Sequence, residues 1–295
     1  MDGKINEPYH LSKEFMRKLG VSEQNINKYY SLLSDLRNRI HPMFEQRAPD
    51  KELYLKTNDG TAIFIQFFMP KNPNAILLFQ HDHAVHSDLG YTLADFLYSK
   101  NIAMIMMDNR GHGRSGPKRG KFDHPEYMFP IYFYLLKLYP NIPKHFHGES
   151  LGTTMIAKFL NSECDRNVNL RSVILQVPPY QIRIFPQFRL LKYPIKILTN
   201  LLYILSFGKN IIFNKPKIQK SYYKEFIQVD FFDPIRVYFL TAKDLSTTAQ
   251  LINDFPNEGK KIMIPTLILE GTADSLCDPV GAKELYRKIN CTKKN

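Results

Sequence analysis

Short continuous apolar runs alternate with helix-like segments along this chain, and that alternation constrains its fold more than any other feature. The runs are AILLFQ (75–80), IAMIMMD (102–108), KHFHG (144–148), SVILQV (172–177) and IPTLILEG (264–271). Strands that are apolar along their whole length are typical of parallel sheets covered by helices on both faces. The pattern therefore predicts an α/β fold with a mostly parallel central sheet.

A hairpin is predicted before these runs, and helices are predicted between them. The β-rich runs ELYLK and TAIFIQFFM form the hairpin, and the turn signal Asn58-Asp59-Gly60 joins them. A helix between consecutive strands lets the two strands run parallel. Helices are predicted near 89–99, 126–139, 150–161 and 279–289.

Two regions fall outside the alternation and divide the chain into parts. Within 11–47, apolar residues recur at steps of three and four behind Ser22, a residue type that caps helices. Between Pro178 and about Gly259 the alternation of strands and helices stops. The sequence therefore predicts a helical N-terminal extension (1–47), a core in two parts (48–177 and 260–295) and a helical lid inserted at 178–259. The periodic residues of the extension are Ile26, Tyr29, Leu33, Leu36 and Ile40.

The predicted lid is basic and amphipathic. Residues 181–224 contain nine lysines or arginines and no acidic residue. A basic helix with an apolar face can lie in a membrane interface, where its cations meet anionic headgroups. The same face can equally pack on the sheet and leave the lysines in water, and both interpretations stay open. The apolar face would consist of Phe188, Leu191, Ile195, Leu198, Leu202 and Leu205.

The charge and cysteine content exclude several classes of protein. The net charge is +12, but no zinc-finger, RRM or KH pattern occurs, so nucleic-acid binding is disfavoured. Cys164, Cys277 and Cys291 are scattered, which predicts no metal site, no disulfide framework and a reducing compartment. No leader-like apolar segment or membrane span is evident. We expect a cytoplasmic protein without a cofactor, at most peripheral at a membrane.

One short stretch carries a candidate nucleophile. Residues 147–152 read HGESLG, in which Ser150 lies between Gly148 and Gly152. In a G-x-S-x-G turn between a strand and a helix, small residues two positions away allow the sharp bend that exposes the serine. The flanking runs here predict a strand before the motif and a helix after it. This context indicates a nucleophilic serine.

Four blocks together resemble a known family of enzymes. They are HDHAVHSDLGYTLADFL (81–97), DNRGHGRSGPKRG (108–120), HGESLG (147–152) and PTLILEGTADSLCDP (265–279). The chain resembles the α/β-hydrolases of the monoacylglycerol lipase and lysophospholipase group, which also includes serine aminopeptidases. The resemblance implies an α/β-hydrolase fold. It also implies hydrolysis of a lipid carboxylic ester through an acyl-enzyme, with thioesterase, acyltransferase and aminopeptidase activities open as alternatives.

The resemblance also implies roles for individual residues. Ser150 matches the nucleophile, and Asp274 matches the acid of the catalytic triad, with Asp278 as the fallback. Backbone N–H groups of Leu151 and His83 would bind the oxyanion. His112 and the arginines of the second block, Arg110, Arg114 and Arg119, would be structural.

Asp82 is a departure from the family pattern. The family usually has His-Gly after its strand, and this sequence has His81-Asp82. A backbone donor tolerates a change of side chain, but a carboxylate beside the site would compete with an anion for it. If Asp82 points inward, we expect weaker stabilisation of the oxyanion.

The general base of the triad has no candidate in the expected place. All nine histidines precede Ser150, whereas the family's base follows the acid. Three explanations are open: a longer protein that carries the last strand, the histidine and the final helix; a non-catalytic pseudo-hydrolase that binds lipid or a protein; or substitution by His83 or His86. We favour the first, and expect this chain alone to be nearly inactive because losing the histidine of a serine protease costs on the order of 10⁶ in kcat.

Overall fold

A seven-stranded sheet forms the centre of the protein, and its strands contain the apolar runs that predict them. The computed structural model describes residues 13–18, 20–40, 47–162, 168–182, 210–212, 233–237, 239–274 and 276–291. A separate small sheet pairs β7 (Asn210–Ile212) with β8 (Phe239–Thr241). The central strands are β1 (Lys51–Lys56), β2 (Ala62–Phe68), β3 (Ala75–Gln80), β4 (Ile102–Met107), β5 (Lys144–Glu149), β6 (Leu170–Gln176) and β9 (Thr266–Leu269).

The strand order across the central sheet is β1-β2-β4-β3-β5-β6-β9. The pair β1–β2 is the predicted hairpin, and β2 also runs antiparallel to β4. All pairs from β4 through β9 are parallel, which confirms the predicted sheet. Because parallel strands end at one edge, the loops after β3, β5 and β9 gather there, where α/β proteins place their sites.

The helices follow the predicted order, with shifts of a few residues at their ends. Short 3₁₀ turns at Ser87–Gly90 and Pro125–Met128 precede two of them. The helix starts that the sequence predicts near residues 89 and 126 therefore lie within these 3₁₀ turns, which often precede α-helices. The helices are α1 (Lys13–Lys18), α2 (Glu23–Ile40), α3 (Tyr91–Ser99), α4 (Phe129–Lys137), α5 (Leu151–Asn161), α6 (Ala242–Gly259) and α7 (Pro279–Lys288).

The two faces of the sheet carry separate apolar clusters. On β3, Leu77 and Phe79 face α3, while Ile76 and Leu78 face the cluster that contains α4 and α5. Side chains alternate across a strand, so a continuously apolar run supplies both faces. Helices therefore cover both sides, as the sequence predicts.

Helix α6 packs on the core although its residues fall in the range predicted as the lid. Leu251 and Phe255 are buried in the cluster that contains Phe159 of α5. Thr241 caps the helix together with Asp244 in a capping box. The apolar and basic helix predicted within 181–224 lies outside the described residues.

The N-terminal helices form a cluster of their own. Met16, Ile26, Tyr29 and Leu32 bury their side chains around Ile235. Ser22 caps α2 through the Asn25 N–H at 3.4 Å, as predicted. The side chains of 33–40 are outside the described part of the chain. No helix in the described ranges is long and apolar enough to cross a membrane.

Candidate active site

Ser150 stands at the junction of β5 and α5 in a backbone conformation that few residues adopt. It has φ 46° and ψ −111°, between Glu149 at the end of β5 and Leu151 at the start of α5. A positive φ is unfavourable for a residue with a side chain and marks stored strain. The Ser150 N–H donates to the Gln176 carbonyl at 2.8 Å and holds the turn. This geometry displays the serine at the carboxyl edge of the sheet.

The two glycines allow close packing at this turn. A Cβ at Gly148 would lie 2.7 Å from the carbonyl carbon of Gly152. A Cβ at Gly152 would overlap the carbonyl oxygen of Gln80, at the end of β3. Both obstacles are backbone atoms, so only glycine fits at either position.

The two N–H groups predicted to bind the oxyanion converge on one atom, which belongs to Asp82. Asp82 Oδ1 accepts from the His83 N–H at 2.5 Å and from the Leu151 N–H at 3.2 Å. The two N–H groups therefore point at the same place, and their role as oxyanion donors stays a prediction. The Asp82 side chain points inward, which is the case expected to weaken oxyanion stabilisation.

Two neutral histidines hold the backbone on either side of Asp82. The His81 Nδ1 lies 2.6 Å from the Asp82 carbonyl oxygen, and the His112 Nε2 accepts from the Ala84 N–H at 3.3 Å. Burial lowers the pKa of His81 to about 4 and lowers the pKa of His112 well below its usual value. His112 is thus a structural residue, as predicted from the GHG turn.

Two carboxyl groups lie side by side at the serine. Burial raises the pKa of Asp82, and the N–H groups of His83 and Leu151 together with the Ser150 side chain offset this only in part. Burial, and then the charge of Asp82, raises the pKa of Glu149 to about 7. The two acids therefore disfavour each other's ionisation.

Asp274 lies in the loop after β9, on the same edge of the sheet as Ser150. Its Oδ1 accepts from the N–H groups of Leu276 at 2.7 Å and Cys277 at 2.8 Å. Strands β5 and β9 flank β6, so the two loops are about 10 Å apart at the usual strand spacing. A third side chain would have to bridge the serine and the acid. Asp278, the fallback acid, instead caps α7 by accepting from the Val280 N–H at 3.0 Å.

None of the described histidines is hydrogen-bonded to the Ser150 side chain. His83 packs its ring against His112 and Phe122, and burial lowers its pKa to about 4. His10 and His41 lie outside the described residues. The remaining hydrogen-bonded partners are Asn109 for His81, Asp233 for His86, Arg110 for His112, Glu126 for His124, Ser172 for His145 and Gln176 for His147.

The 233–237 segment braces the loop after β3. The His86 Nε2 lies 2.6 Å from Asp233 Oδ2, and the Val237 N–H donates to the Ala84 carbonyl at 2.9 Å. Burial lowers the pKa of His86, but the charge and hydrogen bond of Asp233 and the charges of Asp88 and Asp108 together outweigh it, so the net pKa is raised. Asp233 lies 147 positions after His86, so no local motif in the sequence points to this pair.

The three arginines of the 108–120 segment (DNRGHGRSGPKRG) bind neighbouring loops, as predicted. Arg110 donates to both carboxylate oxygens of Asp59, at 2.9 and 2.8 Å. Arg114 makes the same two-pronged contact with Asp88, at 2.9 and 2.8 Å. Arg119 donates to the carbonyls of Gly113 and Ile235. In the described part of the chain, no group of three or more His, Cys, Asp or Glu side chains is arranged to hold a metal ion.

A serine on a strained turn between a strand and a helix, at the carboxyl edge of a mostly parallel sheet, defines the α/β-hydrolase class. The family model described as serine aminopeptidase, S33 (Hydrolase_4) matches residues 71–295. The chain belongs to this family of hydrolases.

Individual relatives agree with this assignment. A monoglyceride lipase homolog of monkeypox virus is 25% identical over 244 residues, 80% of this chain and 84% of the viral protein. Human monoglyceride lipase is 24% identical over 250 residues, 80% of this chain and 78% of the human protein. A soluble variant of the Saccharomyces cerevisiae monoglyceride lipase, crystallised with a substrate analog, superposes with a TM-score of 0.67 at 19% identity. It covers 84% of both chains.

Proposed function

We propose that this protein is a serine hydrolase that cleaves carboxylic esters of lipids, with a monoacylglycerol or a lysophospholipid as substrate. The observation that carries the proposal is the geometry of Ser150, whose strained backbone is held between two glycines that nothing larger can replace. Strain of this kind persists where function requires it. The similarity to monoglyceride lipases supports the substrate class.

In the proposed reaction, Ser150 Oγ bonds to the ester carbonyl carbon and the carbonyl electrons move to the oxygen. The N–H groups of Leu151 and His83 would bind that oxyanion. When the carbonyl re-forms, the C–O bond to the alcohol breaks and the alcohol leaves with the proton that the general base took from Ser150. Water then attacks the acyl-enzyme, releases the fatty acid and restores the serine.

The Ser150 side chain is hydrogen-bonded to Asp82, and the described histidines are engaged elsewhere, so no histidine of the described residues is placed to take its proton. We therefore propose that the 295-residue chain by itself turns over slowly. An oxyanion hole and substrate binding without a working base retain on the order of 10³–10⁴ over the reaction in water. Asp274 would orient a base supplied from outside these residues, as in the longer protein favoured above.

A second candidate, a non-catalytic protein that binds lipid or a protein partner, is favoured by one specific observation. Asp82 Oδ1 lies where a substrate oxygen would have to bind. A protein that keeps the sharp turn at Ser150 but places a carboxylate in its oxyanion hole is suited to binding a ligand without cleaving it. In either role, the nine basic residues of 181–224 would lie against an anionic membrane surface.

Labelling with a fluorophosphonate probe tests the proposal, with Ser150→Ala as the control. In a longer form of the protein that supplies the missing base, a hydrolase should be labelled at Ser150 and should release fatty acid from a monoacylglycerol or a lysophospholipid, whereas S150A of that form should do neither. Absence of labelling and of fatty-acid release, with a monoacylglycerol still bound to the protein, would favour the second candidate. Vesicles with and without anionic lipid test the membrane contact by co-sedimentation.

A further inference from the structure

The oxyanion donors at Ser150 are already occupied by a side chain of the same protein. The Asp82 Oδ1 atom is 2.5 Å from the His83 nitrogen and 3.2 Å from the Leu151 nitrogen. A substrate oxygen bound by the same two N–H groups would need the same place. Because a charged carboxylate accepts hydrogen bonds more strongly than a neutral ester carbonyl, the internal group is the better ligand.

The backbone around Asp82 is held from both sides, so its side chain is the part that can move. His81 contacts the Asp82 carbonyl, and Ala84 is bound through its N–H to His112 and through its carbonyl to Val237. If the loop after β3 moved to withdraw Asp82 from the oxyanion hole, all of these contacts would break at once. Rotation of the Asp82 side chain breaks only its own hydrogen bonds.

Several ionisable groups face Asp82 from the elements around it. Glu149 of β5 repels its charge, and Arg236 of the 233–237 segment attracts it. The Cys277 thiol feels the same carboxylate, but burial first and then Asp274 raise its pKa to about 12, so it stays neutral. His81 and His83, on the loop itself, are neutral at pH 7. Glu149 and Arg236 are therefore the charges that can bias the position of Asp82.

From these contacts we infer that Asp82 is the resting occupant of the oxyanion hole and regulates the Ser150 site. An ester carbonyl enters the hole only when the carboxylate is displaced or protonated. The consequence for catalysis rests on the proposed function, whereas the occupancy itself does not. With Asp82 in the oxyanion hole, ligands that carry a carboxylate are also excluded. A fatty-acid product, for example, would bring a second negative charge next to that of Asp82.

Amide NMR on the ¹⁵N-labelled protein tests the occupancy directly. In the wild type, we expect the Leu151 and His83 amide protons to be shifted downfield and to move together as Asp82 titrates. Asp82→Asn should abolish this titration, since an amide has no charge to lose. Glu149→Gln is the matched control, because it removes the neighbouring carboxyl and leaves Asp82 in the hole, so the titration should remain. Because Glu149 also titrates near these amides, the decisive comparison is made in E149Q: a titration that persists when D82N is combined with E149Q, or is absent from E149Q, would overturn the inference.

Ligand binding provides an independent test. Asp82→Gly empties the hole, so decanoate should bind about tenfold more tightly than to the wild type, the equivalent of one charge-assisted hydrogen bond. Decanol, which has no carboxylate, should bind equally to both, and E149Q should not reproduce the gain. Unchanged decanoate affinity in folded D82G, or an equal gain in E149Q, would contradict the inference. If D82G does not fold, D82N in the amide experiment decides the question.

Fluorophosphonate labelling of the same variants separates the two hypotheses. If the amides report Asp82 but no variant of the longer form that carries a base is labelled at Ser150, the proposed function fails and the occupancy stands. If Ser150 is labelled equally fast in D82G and the wild type, and the amides are insensitive to Asp82, the occupancy fails and the hydrolase stands.

Discussion

The first residue of α5, Leu151, donates its N–H to the carboxylate of Asp82, which lies just beyond β3, across 3.2 Å. The N-terminus of a helix attracts negative charge, because its first N–H groups are unpaired and its dipole is positive there. Asp82 therefore has the most favourable position for an anion at this edge of the sheet. The neighbouring acid, Glu149, has a pKa of about 7, so its ionisation can be followed near neutral pH.

Glu149 should make the stability of the protein depend on pH. Its pKa rises from 4.5 to about 7 on folding, so the folded state keeps a proton that the unfolded chain has lost. The free energy of unfolding should therefore fall as pH increases from about 4.5 to about 7, by up to about 3 kcal/mol. Urea titrations across this range should show the decline in the wild type and a smaller decline in Glu149→Gln, in which Asp82 and His86, whose pKa values are also raised, still contribute. An equal decline in E149Q would assign it to another group.

Gly152→Ala should destabilise the protein severely. Its Cβ would overlap the carbonyl oxygen of Gln80, and neither β3 nor α5 can shift without disturbing the sheet. We expect a loss of about 3 kcal/mol or more in the free energy of unfolding. Gly271→Ala is the matched control, since its added Cβ meets nothing within 4 Å, and it should change stability by less than about 0.5 kcal/mol. Thermal unfolding of both variants gives the comparison.

Asp233→Asn should weaken the contact between the 233–237 segment and the loop after β3. The raised pKa of His86 means that its protonated form is favoured on folding, so this pair stabilises fully below about pH 6.5. That stability is lost as pH increases through the folded pKa above this value. D233N should cost about 3 kcal/mol at pH 6 and less at pH 9, because it removes the nearest carboxylate from the buried His86 charge, which exists only while His86 is protonated and is then left with the more distant Asp88.

Exchange measurements and a surface control complete this test. Faster amide hydrogen exchange at Val237, whose N–H donates to Ala84, should accompany the loss in D233N. His124→Ala removes an exposed contact with Glu126 and should change stability little. A D233N penalty that is the same at both pH values would exclude a charged His86.

Arg110→Met should lower the free energy of unfolding, because it also breaks a buried ion pair. Arg110 is buried and shares its charge between Asp59 and Asp123, so the substitution leaves Asp59 without this cation and Asp123 with only the exposed Lys121 and Lys243. We expect a loss of about 3 kcal/mol, whereas Lys288→Met, which removes an exposed pair with Glu284, should cost less than about 1 kcal/mol. Chemical denaturation of both variants measures the difference, and equal losses would show that the Arg110 network adds nothing beyond a surface pair.

Much of the fold could be predicted from local patterns. Runs such as AILLFQ are long enough to be strands and apolar on both faces, and the structure places them in the centre of a parallel sheet. The sharp turn at Ser150 was equally predictable, since Gly148, Ser150 and Gly152 are spaced two positions apart and their constraints are local, whereas the role of Ser150 as a nucleophile stays a prediction. Element ends were less predictable, because 3₁₀ turns and strand fraying depend on tertiary contacts.

The rest of the site depends on contacts between distant residues. The inward direction of Asp82 follows from donors on α5, and His86 meets Asp233 from a segment with no recognisable pattern. The role of Asp274 as the triad acid stays a prediction. Its carboxylate is bound by its own turn in this structure, an arrangement that the G-x-x-D signal does not reveal.

The packing of the N-terminal helices around Ile235 has a consequence for synthesis. Residues 16–32 leave the ribosome early, but the side chain that completes their cluster is made some two hundred residues later. Until then Ile26 and Tyr29 have no partner from the segment they finally cover, and they present an apolar surface to whatever is nearby. Contacts between residues so far apart in sequence form late, and the intermediates that lack them expose apolar surface and are prone to aggregate. The packing of the N-terminal helices is therefore completed only after the Ser150 turn has been synthesised.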